Sequence, residues 1–172
     1  MLRSVRILAR FCAIAVLAAP FSAARGSTAT SNLTVQLQVN GTCTINAATL
    51  DFGSTGLLTV AINATASLSV TCTNTTPFSV GLDNGANFSS TRRMRQGATS
   101  NYIGYQLYTD AGLTNAWTTA SSSTTCTTAN SCILGTGNGS AQSVTVYGQV
   151  PALGVAPVPG TYTDTVTVTV TY

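Results

Sequence analysis

The residue types that most enzymes use for acid–base chemistry are nearly missing from this chain. It has no His, all seven basic residues are Arg and all four acidic residues are Asp, so Lys and Glu are absent as well. The four carboxylates are scattered and form no paired-carboxylate motif of the kind that glycosidases use; they are Asp51, Asp83, Asp110 and Asp164. A catalytic site would have to work with Asp or Ser alone. We therefore expect no enzymatic activity, no metal site and no cofactor.

The N-terminal segment has the plan of a secretory signal peptide. Three Arg precede an apolar run from Phe11 to Ala19, which Pro20 and small residues follow. This run is too short to span a bilayer, so no stable membrane insertion is expected. We place cleavage after Ala24, with a second option after Gly26. The mature chain keeps four Arg against four Asp, and this balance gives no reason to expect a nucleic-acid partner.

The cysteines of the exported chain predict disulfides. Four of the five Cys remain after cleavage and enter an oxidising compartment. Three pairings are open, and we favour Cys43 with Cys72 and Cys126 with Cys132. The loop-entropy relation gives the first pair about 3.5 kcal/mol and the second about 2 kcal/mol. A zinc site is the alternative, but the spacings do not match CxxC pairs and no His is present to help.

The rest of the chain predicts an all-β fold. Short runs of Val, Thr, Leu, Ile and Tyr are separated by Gly, Asn, Ser and Pro, and no amphipathic helical stretch is visible. Eight or nine such strands predict a two-sheet sandwich. The predicted strands are Leu33–Val39, Thr42–Asn46, Leu50–Phe52, Leu57–Ile62, Ser67–Thr73, Phe78–Leu82, Ile103–Tyr108, Gln142–Gln149 and Tyr162–Thr171. Residues 1–24 are then the signal peptide, residues 25–41 an N-terminal leader with its strand, and residues 42–172 the sandwich domain.

Two of these strands alternate apolar and polar residues with period two. One carries Leu33, Val35, Leu37 and Val39 on a single face; the other carries Val166, Val168, Val170 and Tyr172. The first is either an ordinary strand of its own domain or a detachable strand that fills a groove of another subunit. In the second case, four apolar side chains and several ladder hydrogen bonds would contribute over about 10 kcal/mol before ordering costs.

Two further groups of residues have open interpretations. Arg92, Arg93 and Arg95 form a charge cluster that is either a solvated loop with anchors for backbone carbonyls or a contact with an anionic surface or neighbouring subunit. Trp117, with Tyr105 and Tyr108 upstream, could stack on a sugar, although a lone Trp in a sandwich is more often part of the core.

Several segments together resemble the spore coat protein U domain family, whose members include pilin subunits of archaic chaperone-usher pili. The segments are LDFGS at 50–54, SVTCT at 69–73, STRRMRQG at 90–97, IGYQLYTDAGLTNAW at 103–117, VYGQVPA at 146–152 and GTYTDTVTVTVTY at 160–172. The resemblance implies an incomplete immunoglobulin-like sandwich that lacks its last strand. It also implies a periplasmic chaperone and an outer-membrane usher, with the strand supplied in the fibre by the next subunit.

On this sequence the resemblance assigns a role to each end of the mature chain. The donor positions would be Leu33, Val35, Leu37 and Val39, and the acceptor groove would be bordered by the terminal strand and the strand around Cys43. The Cys43–Cys72 pair would be the family-like disulfide. A bridge between Cys126 and Cys132 would depart from the family pattern.

The leading hypothesis is a structural subunit of a secreted surface fibre that supports adhesion or biofilm formation. The presence of a donor strand and of one domain favours a shaft or adaptor subunit over a tip subunit. A spore or cyst coat protein of the same family is the alternative. From another class, we keep a secreted carbohydrate-binding module with Trp117 at its ligand surface.

Overall fold

The protein is built of β-strands in the part of the chain that its computed structural model describes, namely residues 25–117, 132–154 and 156–172. The chain divides into two compact units, residues 1–37 and residues 38–172. All strands of the described residues lie in the second unit, and these residues contain no helix. The strands are β1 (Cys43–Asn46), β2 (Ile62–Cys72), β3 (Pro77–Leu82), β4 (Arg92–Gln96), β5 (Tyr102–Tyr108), β6 (Ile133–Thr136), β7 (Ala141–Val150), β8 (Tyr162–Thr163) and β9 (Val168–Thr171).

The strands form two antiparallel sheets, and this confirms the predicted all-β sandwich. The larger sheet has the order β1-β2-β7-β5-β4-β8, and the smaller one has the order β6-β3-β9. Strands β2 and β7 pair along ten residues, from Ile62 opposite Val150 to Thr71 opposite Ala141. This long ladder joins the two inner strands to which the rest of the larger sheet is added: β1 pairs with β2, and β5 pairs with β7.

The core follows from period-two alternation in the long strands. In β2, Leu68, Val70 and Cys72 are buried while the residues between them are partly exposed, and β7 repeats this pattern at Val144 and Val146. The smaller sheet contributes its apolar face to the same core; its buried members are Phe78, Val80 and Leu82. One apolar face per sheet accounts for the two-layer packing.

Trp117 belongs to this core, which makes the sugar-stacking interpretation of this residue wrong. Its side chain is 1% exposed, and its indole Nε1 donates a hydrogen bond to the Tyr108 carbonyl at 2.8 Å. A ring that is buried and already bonded offers no face to a ligand. The carbohydrate-binding alternative therefore loses the residue on which it depended.

Several predicted strands differ from the observed ones. Leu33–Val39 and Leu50–Phe52 are not strands, and Leu57–Ile62 contributes only its last residue, at which β2 begins. Leu50, Phe52 and Leu58 pack on the core from an irregular segment, and Leu58 is 4% exposed. An apolar run therefore marks burial here without marking a strand.

Two of the observed strands were not predicted from the sequence. β4 reads RRMRQ, a sequence more typical of an exposed loop, and β6 is a short ILGT segment. Both are too short or too polar to show an alternation of apolar residues. The prediction of Arg92, Arg93 and Arg95 as a loop is corrected by their place in β4.

The terminal segment passes from one sheet to the other. Its first part, β8, pairs with β4 of the larger sheet, and its last part, β9, pairs with β3 of the smaller sheet. The predicted strand Tyr162–Thr171 is thus two short strands joined by residues 164–167. No helix among the described residues is long and apolar enough to cross a membrane.

Candidate strand-acceptor groove

An open groove lies where the two sheets fail to close over the core. Its volume is about 460 Å³. One wall is residues 47–52, which follow β1, and the other is residues 161–166 together with Val168 of β9. Between the walls the groove is lined by core side chains from both sheets, namely Ala66, Leu68, Leu82, Met94, Tyr105, Leu107 and Val146. A strand laid into this opening would cover apolar surface that the subunit itself leaves uncovered.

The wall formed by residues 47–52 packs closely on the larger sheet at a glycine. A Cβ placed on Gly148 of β7 would lie 2.9 Å from side-chain atoms of both Leu50 and Phe52. The Phe52 ring also meets the Tyr105 ring, with centroids 6.3 Å apart. A glycine inside a strand often marks a close approach of this kind. Gly148 therefore lets two large side chains sit low on the sheet and shape one side of the groove.

The opposite wall is the terminal segment, in which alternate side chains face the core. Val166 and Val168 line the groove, and Val170 is partly buried against the core. Tyr172 is 57% exposed. The backbone of β9 pairs with β3 along one edge, and the described residues supply no ladder for its other edge. That edge is an unpaired template of the kind to which a further strand adds.

A polar network holds the terminal segment where it changes sheets. The Asp164 carboxylate accepts a hydrogen bond from the Tyr105 hydroxyl at 2.7 Å and others from the backbone and side-chain amides of Asn87 at 3.0 and 2.9 Å. Burial, and then the hydrogen bond and the negative charge of Asp164, raise the pKa of Tyr105. Tyr105 therefore stays a protonated donor, and it fixes the position of the groove wall.

Asp83 makes a second attachment of the same segment. Its carboxylate accepts hydrogen bonds from the backbone amides of Thr167 and Gly85, both at 2.9 Å. Desolvation opposes ionisation of Asp83, but the hydrogen bonds from Thr167 and Gly85 and the charge of Arg92 outweigh it and lower its pKa. Between β8 and β9, the ionised Asp83 carboxylate therefore accepts the Thr167 amide hydrogen bond that a backbone carbonyl would accept in a regular ladder.

Arg92 is buried and binds backbone carbonyls, which confirms the anchor interpretation for this residue. It is 3% exposed, and its guanidinium donates to the carbonyls of Asp83 at 2.6 Å and Trp117 at 2.8 Å. Arg93 donates to the Asn87 carbonyl and stands 4.2 Å above the Tyr102 ring centre, while Arg95 donates to the Thr99 carbonyl. The cluster therefore ties local loops to the sheet.

The strand β1 is tied to the larger sheet by a disulfide. Cys43 and Cys72 are opposite each other in the β1–β2 ladder and are joined by an S–S bond of 2.01 Å, as predicted. Cys132 is also buried and disulfide-bonded. Cys126 lies outside the described residues, so its pairing with Cys132 remains a prediction.

The predicted donor segment has its apolar side chains in solvent. Leu33 is 88% exposed, Val35 and Leu37 are each 86% exposed, and Val39 is 76% exposed. No strand assignment covers residues 25–42. Four exposed apolar side chains at alternate positions are an unusual amount of exposed apolar surface for so short a segment.

Sequence reasoning identified the alternating segments but missed most of the groove. Leu50, Phe52, Gly148, Tyr105 and Asp164 shape it, and none was predicted as a site residue. Gly148 carried a usable signal, since it interrupts an otherwise regular strand pattern. The described residues contain no group of three or more His, Cys, Asp or Glu that could hold a metal ion.

The sequence of this chain is similar to a known domain family and to a curated protein. The Spore Coat Protein U domain model matches residues 29–169. A curated relative, "Protein U" of Myxococcus xanthus, is 36% identical in an alignment that covers 88% of this chain and 89% of the relative.

A solved structure shares the fold. It is the CsuC–CsuE chaperone–tip adhesion subunit pre-assembly complex from archaic chaperone-usher Csu pili of Acinetobacter baumannii, with a TM-score of 0.55 and 23% identity. The match covers 78% of this chain and 40% of the matched chain. At this identity the likeness supports the immunoglobulin-like sandwich. With most of its length matched by the domain model, this chain belongs to the spore coat protein U domain family.

Proposed function

We propose that the protein is a structural subunit of a secreted surface fibre that polymerises by donor-strand exchange. The observation that carries this proposal is the presence, in one chain, of an open apolar groove and an exposed apolar segment of strand length. The groove is lined by buried core residues such as Leu68 and by apolar side chains that are only partly buried, such as Met94 and Val166. The segment Leu33–Val39 offers four apolar side chains at the spacing of a strand face.

The chemistry of the groove fits a β-strand. The free edge of β9 offers backbone hydrogen bonds, and the apolar lining offers places for alternate side chains. In the fibre, Leu33, Val35, Leu37 and Val39 of one copy are the donor positions. Val166 and Val168 line the acceptor groove, and Val170 and Tyr172 continue the same wall.

A binding estimate supports a long-lived link. Burying four Leu or Val side chains contributes about 1.5 to 3 kcal/mol each, and each ladder hydrogen bond adds about 1 kcal/mol. Ordering the segment costs part of this gain. The remainder is large enough for a fibre that keeps its subunits without covalent bonds.

The open groove makes the free subunit prone to aggregation before assembly. Unpaired strand edges and open apolar surface promote aggregation. We infer that a periplasmic chaperone covers the groove and that an outer-membrane usher exchanges it for the next donor strand. The matched structure is a complex of a chaperone with a tip adhesion subunit, which supports this part of the proposal. Adhesion and biofilm formation would be properties of the finished fibre.

A peptide-binding experiment tests the proposal. A variant that lacks Ser27–Gly41 should remain folded, and a synthetic peptide of residues 27–41 should bind it and raise its Tm. A matched peptide with Val35 and Leu37 replaced by Asp should not. Equal stabilisation by both peptides, or by neither, would contradict donor-strand binding.

A coat protein is the second candidate function, because the family is named for a spore coat and Protein U covers nearly the whole chain. The same strand exchange could then build a surface layer. Fractionation of vegetative cells and spores separates the two: a coat protein is expected with the spores, and a pilus subunit on vegetative cells.

A further inference from the structure

The outer face of the larger sheet, which is turned away from the groove, carries a small cavity. In β5 the buried side chains are Ile103, Tyr105 and Leu107, so the alternate positions of this strand lie on the opposite face. A cavity of about 180 Å³ opens there beside Gly104. The other outward residues that line it come from β5 and from the segments on its two sides, namely Thr91, Gln106, Tyr108, Gln149 and Pro151.

The strand registers explain where the cavity lies. Gly104 is opposite Arg93 of β4 on one side and, by extension of the β5–β7 register, opposite Pro151 on the other. Because Gly104 has no side chain, the surface is depressed between these two neighbours. Among the described residues, the nearest atom to a Cβ built on Gly104 would be the Arg92 carbonyl oxygen, at 3.9 Å. The space above this glycine is therefore open.

Two amide side chains at the cavity are already oriented. The Gln149 Nε2 donates a hydrogen bond to the Asn63 Oδ1 at 3.0 Å, which leaves the Gln149 Oε1 as an acceptor. The Gln106 Oε1 accepts from the Arg92 Nη1 at 3.3 Å, which leaves the Gln106 Nε2 as a donor. Gln106 and Gln149 are opposite each other in the ladder, so they present this acceptor and this donor side by side. Such a pair suits the hydroxyl groups of a sugar, because a hydroxyl both donates and accepts.

Arg93 supplies a fixed positive charge beside the cavity. Its Nε donates to the Asn87 carbonyl at 3.0 Å, and its guanidinium carbon lies 4.2 Å from the centre of the Tyr102 ring. In the part of the chain that the structure describes, its two terminal nitrogens have no hydrogen-bond partner. A guanidinium held in this way can donate from both terminal nitrogens to one carboxylate.

The charge of this face favours an anionic ligand. Arg93 and Arg95 both lie on it, and the six described strands of the larger sheet contain no acidic residue. Asp110 follows β5 by two residues, but its carboxylate accepts hydrogen bonds from backbone amides of its own loop at 2.7 and 3.1 Å. The strands therefore present positive charge without a neighbouring carboxylate to neutralise it.

Tyrosine side chains extend the face beyond the cavity. Tyr147 is opposite Tyr108, and Tyr102 is 38% exposed at the other end of β5. Tyr102 and Tyr108 are about 20 Å apart along the strand. Partly exposed aromatic rings offer apolar faces on which the C–H surfaces of sugar rings can pack. The cavity is smaller than the pockets of about 300 to 1,000 Å³ that enclose drug-sized ligands, so it fits one unit of a polymer whose other units contact the tyrosines.

We propose that the outer face of the larger sheet binds an acidic polysaccharide, with one sugar in the cavity at Gly104 and its carboxylate on Arg93. Two Arg among neutral amides and hydroxyls suit a polymer in which carboxylates are interspersed with many hydroxyl groups. A nucleic acid carries a charge on every nucleotide and is bound through many Lys and Arg, which this face does not offer. Trp117 has no part in the site, since its side chain is buried. The site goes beyond the proposed function: a fibre or coat built of such subunits would hold acidic polysaccharide along its length.

Binding to polygalacturonate, a polymer of a uronic acid, tests the proposal. The mature chain should bind polygalacturonate on a biosensor surface at least about ten times more tightly than dextran, which has no carboxylate. Gly104→Val should weaken the binding of polygalacturonate at least about tenfold, because the new side chain fills the cavity. The control Thr44→Val adds the same side chain to the same face on β1, three strands away, and should bind like the unaltered chain.

A second variant tests the charge. Arg93→Gln should weaken the binding of polygalacturonate about tenfold or more and leave the weak binding of dextran unchanged. Thermal unfolding shows whether each variant folds, and Gly104→Val decides the question if Arg93→Gln does not.

Several outcomes would overturn the proposal. They are no binding of polygalacturonate, equal binding of polygalacturonate and dextran, equal binding of single-stranded DNA, and unchanged binding after Gly104→Val. None of these measurements depends on polymerisation, so their failure would leave the proposed strand exchange standing.

Discussion

Leu33–Val39 and the terminal segment 162–172 have nearly the same sequence pattern but opposite environments. In the first, Val35 and Leu37 are each 86% exposed and no ladder includes them. In the second, Val166, Val168 and Val170 pack against the core, and β9 pairs with β3. Alternation specifies an amphipathic segment in both cases, but a strand forms only where a partner edge and an apolar surface are supplied.

The difference shows what each segment lacks. The terminal segment has its core contacts and one ladder, and its other edge is unpaired in the described residues. The donor segment has the apolar face but neither a ladder nor a core. The terminal segment therefore has a free strand edge, and the donor segment has an apolar face without a partner. Under the proposed function the donor segment of one copy pairs with the terminal segment of another copy.

The largest expected effect comes from changing the donor face. The double variant Val35→Asp and Leu37→Asp should abolish polymerisation, because two carboxylates cannot be buried unpaired in an apolar groove. The Tm of the subunit itself should change little, since both side chains are exposed. Electron microscopy of assembled samples and thermal unfolding measure the two effects.

The control for this variant lies on the opposite face of the same segment. Gln36→Asp with Gln38→Asp adds the same charge but leaves the apolar side chains intact. Fibres should still form from it. Loss of fibres in both double variants would mean that charge, and not the apolar face, determines the result.

The second effect concerns β1, which lies close to β9. Cys43→Ser with Cys72→Ser should lower the free energy of unfolding by about 3.5 kcal/mol, because the 29-residue separation is no longer closed in the unfolded chain. Urea unfolding of both proteins without reductant measures it. A loss below about 1 kcal/mol would show that β1 is held mainly by its ladder.

The third effect separates buried from exposed arginines. Arg92→Met should cost about 3 kcal/mol, since it removes a charged donor from buried carbonyls such as that of Trp117. Arg95→Met is the matched control; its bonds to the loop carbonyls of Ala98 and Thr99 are exposed, and the expected cost is below about 1 kcal/mol. Equal costs would contradict the anchoring role of Arg92.

The smallest effect is a dependence of stability on acid. Because the folded state lowers the pKa of Asp83 from its ordinary value of 3.8, its contribution is present above that value and is lost as the pH falls through the folded pKa. Asp83→Asn should make the decline of Tm below about pH 4 less steep than in the unaltered protein. An unchanged slope would show that Asp83 does not hold the terminal segment through its charge.

The regular strands could be predicted from the sequence, and the irregular parts of the site could not. The alternation of apolar and polar residues predicts β5 and β7. The Cys43–Cys72 disulfide could be predicted because each cysteine lies in a strand-like segment. β4 was not predicted as a strand, because a charged residue such as Arg92 is typical of an exposed loop. In the structure the Arg92 guanidinium is buried and donates hydrogen bonds to backbone carbonyls that are distant in sequence.

The groove itself was hidden for a related reason. Leu50 and Phe52 form an apolar run that predicts a strand, but their packing depends on Gly148, almost a hundred positions away. The change of sheet near Asp164 depends on Tyr105 and Asn87, which are also remote in sequence. Such contacts leave no periodic signal in the segments that make them.

The most direct measurement is a cryo-EM structure of the assembled fibre. We expect Leu33–Val39 of one copy to lie in the groove of another, paired with the β9 edge, with its four apolar side chains facing the core. A fibre in which this segment is paired within its own copy, or remains in solvent, would contradict donor-strand exchange.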